Sequence, residues 1–230
     1  MKLSNKVLIG FFGLVLLYML AAFAEIRLKG DYNVLNKTTA QTESIDIKPV
    51  THLMLPDMDQ RIIIKSSNEP RIELLSISGN KLPNLKYQIT GDTLELQSIE
   101  FEGDENVNIY LYLPENSIEK IISTGASLVL DEVKQTSLNI KQVAGWTTIK
   151  RTSEISNIQL EVVEEARFTI SRMDLDTMTV TADNSRVDII SSLKKLEGTA
   201  TNGAFVQAGN VNDITFKRED GSRLSFIGGY

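Results

Sequence analysis

The sequence predicts an all-β chain built mainly as a β-solenoid and preceded by one N-terminal transmembrane helix. Three observations lead there: short apolar segments that alternate with period two, a second half that repeats every 18 to 20 residues, and one long uncharged run near the start.

After Met1, Lys2 and Lys6 comes Val7 to Ala24, VLIGFFGLVLLYMLAAFA, 18 residues without a charge. A hydrocarbon core of ~30 Å needs about 20 apolar residues at ~1.5 Å rise, so this run, completed by Glu25 and Ile26, is long enough to span. A cleaved signal peptide is the competing reading. Lys2 and Lys6 form a basic n-region, and Ala22-Phe23-Ala24 is an A-x-A-like site before Glu25. The run exceeds the ~7–15 residues usual for a signal core, which favours an uncleaved anchor over residues 1–26. Both readings export the C-terminal remainder of the chain. Lys2 and Lys6 on one side are nearly balanced by Arg27 and Lys29 on the other. Orientation therefore rests on the free N-terminal amine and on the short N-terminal tail staying inside. The bulk of the chain is expected outside the cytosol, in the periplasm or at the cell surface.

Residues 27–43, RLKGDYNVLNKTTAQTE, lack hydrophobic periodicity and read as a polar juxtamembrane linker. From residue 44 strand candidates come in close succession: Ser44–Ile47, His52–Leu55, Arg61–Ile64, Arg71–Leu75, Leu85–Ile89, Thr93–Leu96 and Val107–Leu113. Thr90-Gly91-Asp92-Thr93 and Ser78-Gly79-Asn80-Lys81 supply turn chemistry between them, because Gly and Asn accept positive φ at low cost. No amphipathic helix of ten or more residues is visible after residue 27.

From residue 118 the chain repeats. Ile118, Leu138, Ile158, Met178, Leu196 and Ile214 fall at intervals of 20, 20, 20, 18 and 18. Each is followed by a turn-prone cluster and a second alternating pair. A unit this short cannot bury its own apolar face and must stack on its neighbours, with Ile140, Leu160, Val180 and Phe216 facing a common interior. A sandwich of consecutive hairpins is the alternative, but hairpins have no reason to keep in step.

This order of features resembles the autotransporter adhesin head domain, or GIN domain, family of bacterial envelopes. The resemblance is carried by Ser44-Ile-Asp-Ile47, Ile62-Ile-Ile-Lys-Ser-Ser-Asn-Glu-Pro70, Gly91-Asp-Thr-Leu-Glu-Leu96, Asn108-Ile-Tyr-Leu-Tyr-Leu-Pro114, and Ile118 to Ser127 leading into the repeats. It covers residues 44–228 and implies a bacterial β-solenoid of adhesin-like type. The family's turns are very small, whereas here they read Val143-Ala-Gly-Trp146 and Val163-Glu-Glu-Ala-Arg167.

Chemistry is sparse. The chain has no cysteine, which removes disulfides, thiolate nucleophiles and Cys-based zinc sites. His52 is the single histidine and reads as a strand-end residue, leaving no His pair for a metal. Asp174, Asp176, Asp183, Asp188, Arg172 and Arg186 have the residue types of a β-helix polysaccharide lyase site, but their alternation with apolar residues predicts a solvated outer face. Gly125, Gly145, Gly203 and Gly221 fall at repeat turns and not between a strand and a helix, so no phosphate loop is present. Trp146 reads first as a rung-packing side chain, and an exposed ring that stacks on a sugar or anchors a partner is the alternative.

With 24 Lys and Arg against 30 Asp and Glu, the chain carries −6. Removing Lys2, Lys6 and Glu25 with the N-terminal segment leaves 22 against 29, or −7. That sign and the lack of any run of cations along the chain argue against nucleic acid. The sequence therefore assigns no catalytic, cofactor or metal site and predicts a non-enzyme. The leading function is a membrane-anchored envelope module that binds another envelope protein or a glycan. An accessory subunit of an envelope-stress or signalling system is the alternative, and a glycan-active β-helix enzyme the third. Gly10 and Gly13 are spaced by three, not the four of a helix-dimer motif, so a membrane partner has little direct support.

Overall fold

The computed structural model describes residues 12–19, 41–76, 82–100, 107–219 and 221–227. Met1–Thr39 and Ala40–Tyr230 are separate compact units. In the first, residues 12–19 are helical, and the rest of the expected span over 7–24 lies outside the described residues. Among the described residues no helix is long and apolar enough to cross a membrane. The turn expected at 78–81 also lies outside them.

The second unit is all-β, a β-solenoid of about six turns. Six consecutive turns are formed by β8 (Lys120–Thr124) with β9 (Ser127–Leu130), β10 (Lys134–Val143) with β11 (Trp146–Ile149), and β12 (Glu154–Val163) running through β13 (Arg167–Asp183), β14 (Arg186–Thr201), β15 (Phe205–Ala208), β16 (Val211–Arg218) and β17 (Arg223–Phe226). All these strands pair in parallel, each with the strand one turn on. Every turn crosses two faces. β8, β10, β12, the 177–183 part of β13, the 193–201 part of β14, and β16 make the first face. β9, β11, the 167–170 part of β13, the 186–190 part of β14, β15 and β17 make the second.

The period-two alternation places one residue in two in the gap between the faces, where the apolar residues form one continuous core. On the first face the interior column is Ile121, Ile140, Leu160, Val180, Gly198, Phe216. On the second, Leu128, Thr147, Phe168, Val187, Val206 and Leu224 stack in the same way. Ile140, Leu160 and Val180 are at most 1% exposed. Phe216 is only partly buried and Ile214 is 40% exposed, because β16 lies in the last turn and pairs on one side alone among the described residues.

The register at the start of the repeats differs from the expected one. Ile118 is buried but does not stand against Leu138: Asn139 pairs with Lys120, so Ile121 is the residue opposite Ile140 and the first interval is 19. Ile118 lies ahead of β8, beyond the turn after Pro114, and packs from that turn. The fall from 20 to 18 comes mainly from one corner. The return corner from the second face to the first shortens from Thr147–Leu160, 13 residues apart, to Val206–Phe216, 10 apart, while the other corner stays nearly constant.

The strands before residue 118 belong to the same stack. β2 (His52–Leu55) lies in parallel against β8, and β3 (Arg61–Ser66) against β9. β6 (Thr93–Glu100) and β7 (Val107–Leu113) then add a further layer on the far side of β2 and β3. The first two-faced turn, β2 with β3, thus lies in mid-stack and the later turns build outward from it in both directions. The outer end is closed by antiparallel strands: β4 (Arg71–Ser76) on β7, β1 (Gln41–Asp46) on β4, and β5 (Asn84–Thr90) on β6. The expected hairpin at 90–93 joins β5 to β6, with Gly91 at φ 63°.

Candidate binding surface

The lyase-type residues do not converge. Arg172 and Asp174 border an open corner groove of about 590 Å³ that is also lined by Glu115, Lys134, Arg151 and Glu154, a mixture of both signs. Asp176 pairs with Lys194 at 2.6 Å. Asp183 sits at the opposite corner, accepting from Thr201 and Asn202, and Asp188 lies on the second face against Arg186. His52 opens β2 as a strand-end residue, its Nδ1 2.8 Å from Thr51 Oγ1 and 3.6 Å from Asp92. Thr51 also donates to Asp92, and that bond, with one from a backbone N–H, holds the carboxylate below its usual range. Among the described residues no group of three or more His, Asp or Glu side chains is placed to hold a metal ion.

The outer side of the second face is different. Parallel in-register stacking puts residues from distant parts of the chain into one file along the solenoid axis, one residue per turn. Beginning at β3, one outward file reads Arg61, Ser127, Trp146, Arg167, Arg186, Phe205, Arg223. At ~4.8 Å per strand its six steps cover about 29 Å. The arginines are exposed and the two rings half-buried. The Arg61 guanidinium lies 5.6 Å from the Trp146 ring centroid, reaching across the small Ser127, and that of Arg186 lies 4.9 Å from Phe205. Such cation–π contacts orient long side chains that would otherwise sweep through solvent. Trp146 therefore stands on the outer surface, not among the interior side chains.

The charges in this file are under-compensated. Arg186 is held by Asp188 through two bonds of 2.7 and 3.0 Å. Among the described residues no carboxylate lies within ion-pairing distance of Arg61, Arg167 or Arg223. On the first face, by contrast, Lys141, Lys195 and Lys217 each have a carboxylate partner, Glu161, Glu197 and Glu219, within 2.9 Å. The adjacent outward file on the second face starts with the largely buried Ile63 and Val129 beside Arg61 and Ser127 and is polar from there on: Thr148, Thr169, Asp188, Gln207, Ser225. Nearer the closed end Tyr110 and Tyr112 stack at 6.2 Å, and Arg71 lies 3.8 Å from the Tyr112 ring. The linear sequence shows no stripe of cations. The fold assembles one from positions 61, 167, 186 and 223.

No family model matches the chain, and no curated protein matches it. Its fold is nonetheless shared with solved bacterial structures. A "putative adhesin" from Bacteroides fragilis is 10% identical with a TM-score of 0.60, over 83% of this chain and 98% of that one. A "putative adhesin" from Parabacteroides merdae is 10% identical with a TM-score of 0.51, over 84% and 98%. A "putative lipid binding protein" from Parabacteroides distasonis is 8% identical with a TM-score of 0.51, over 84% and 98%. At these identities the likeness is one of fold: an all-β solenoid found in proteins of Bacteroides and its relatives.

Proposed function

We propose that this chain is a non-catalytic, membrane-anchored protein of the bacterial cell envelope, a GIN-like module that holds its solenoid outside the cytosol and presents it to an envelope glycan or protein. The observation that carries the reading is the outer side of the second face. There, arginines and half-buried aromatic rings are aligned over about 29 Å, with no convergent acid–base or metal-binding set beside them among the described residues. Arginine and tryptophan are the residue types that concentrate binding energy at interfaces. The names of the structural neighbours, "putative adhesin" twice and "putative lipid binding protein" once, point to binding and not to turnover. The uncharged run over 7–24 supports the anchor.

Protease added to spheroplasts tests the topology. Digestion of the solenoid on intact spheroplasts is expected, and protection until lysis would reverse it. Mass spectrometry of the mature chain tests the anchor, since an N-terminus at Glu25 would mean the run is cleaved. Function should survive single substitutions of His52 or of any one carboxylate, and should be lost only when neighbouring outward positions are changed together. One well-folded carboxylate variant that loses all function would restore the enzyme reading.

A further inference from the structure

Resting on that reading, we propose that the file Arg61, Ser127, Trp146, Arg167, Arg186, Phe205, Arg223 is the track for a linear acidic polysaccharide, a glycan whose repeating sugars carry carboxylate or sulfate groups. Three features of the file select this ligand. The first is charge. Among the described residues four arginines face one carboxylate, Asp188, in a chain whose overall charge is −6, so the file is an exception to the surface around it. A guanidinium presents a planar fork that matches carboxylate or sulfate oxygens two at a time, and one without a carboxylate partner has no existing ion pair to break.

The second is spacing. The charged and aromatic groups recur on one straight line, each set by the strand repeat, with Trp146 and Phe205 three strands apart and arginines on both sides of each. A polymer that repeats its own charge along an extended backbone can engage such a line at several points at once. A compact ligand would touch only one or two steps of it. The third is polarity. The rings offer flat apolar faces for the C–H side of a sugar, and the flanking Thr148, Thr169, Gln207 and Ser225 offer hydroxyls and an amide to its polar edge. A lipid surface would call for protruding apolar side chains in those flanking positions.

The experiment titrates the full-length chain with polygalacturonate, hyaluronate and dextran sulfate, with neutral dextran and with phosphatidylglycerol vesicles. Saturable binding to at least one acidic polysaccharide and none to dextran is expected. Arg167→Gln with Arg223→Gln should weaken it by about tenfold or more, as loss of two charge-assisted contacts would. Lys141→Gln with Lys217→Gln removes the same charge from the first face and should change it by less than about twofold, which is small against the effect of two such contacts. Trp146→Ala should also weaken binding. Should that variant fail to fold, the arginine pair alone decides. Equal loss from the lysine and arginine pairs, binding confined to vesicles, or no binding to any of the three polyanions would overturn the proposal. If the arginine pair still binds whole envelope fragments as the unaltered chain does, the track is wrong while the binding-module reading stands. If neither form binds them, both fall.

Discussion

Gly198 shows how tightly one residue is bound by the stack. It occupies the interior column between Val180 and Phe216 at φ 145°, and a Cβ there would lie 1.8 Å from the Val180 carbonyl oxygen. That neighbour is backbone and cannot swing away. Gly198→Ala should therefore cost about 3 kcal/mol or more, read as a lower urea midpoint at unchanged slope. Asp131 binds three strands' ends together: Thr152 donates to it at 2.6 Å, Lys150 at 2.9 Å, and Lys65 lies 3.8 Å away. Burial alone would raise its pKa, but the bonds from Thr152 and Lys150 and the charges of Lys150 and Lys65 outweigh burial and hold it below the ordinary carboxylate range. A carboxylate depressed in the folded state adds stability above its unfolded pKa and loses it as pH falls through the folded value. Asp131→Asn should thus lower stability at neutral pH and flatten its decline in acid. An unchanged acid limb in pH-dependent denaturation would show that Asp131 does not supply this stability.

At the scale of the strand, inside and outside alternate without a break from Ile158 to Val163 of β12 and from Leu138 to Val143 of β10. Leu160 is 1% exposed between Ile140 and Val180, whereas Gln159 beside it points to solvent. Leu160→Asp would bury a charge with no partner and should cost several kcal/mol, enough to unfold a marginal domain. Gln159→Ala should stay within about 0.5 kcal/mol. Thermal melts of the two variants decide between them. This alternation was legible in the sequence because it is local: β2 and β7 begin and end at the residues where their apolar pattern does. The order of the layers was not legible. Nothing in the alternation of β6 or β7 says that they stack beyond β2 and β3, since partner choice depends on contacts far apart in sequence. The register slip at Ile118 has the same origin, a buried residue in a turn that mimics the first residue of a strand. The bulky turn at 164–165, where both glutamates take positive φ (57° and 62°), occupies a corner that Ala144 and Gly145, at φ 54° and 64°, fill in the turn before. The sequence marked that difference without showing what the corner requires.

Taken whole, the molecule gains its surface from register. Arg61, Arg167, Arg186 and Arg223 are isolated cations in the sequence and become one file only when each turn lies squarely on the last. The fold class and the period were visible beforehand, and the site was not, because it exists only across strands. Everything proposed about binding therefore depends on parallel stacking and not on consecutive hairpins. The absence of cysteine allows a direct test with pairs of introduced cysteines and a short thiol crosslinker such as dibromobimane. Gln159 and Thr179 are parallel register partners on the first face, while Thr169 lies on the second. In a hairpin centred on Glu164, the register that sets Leu160 opposite Phe168, Gln159 would instead face Thr169. Gln159→Cys with Thr179→Cys should crosslink efficiently, and Gln159→Cys with Thr169→Cys should not. Crosslinking of the second pair in preference to the first would contradict the solenoid and, with it, the arginine file.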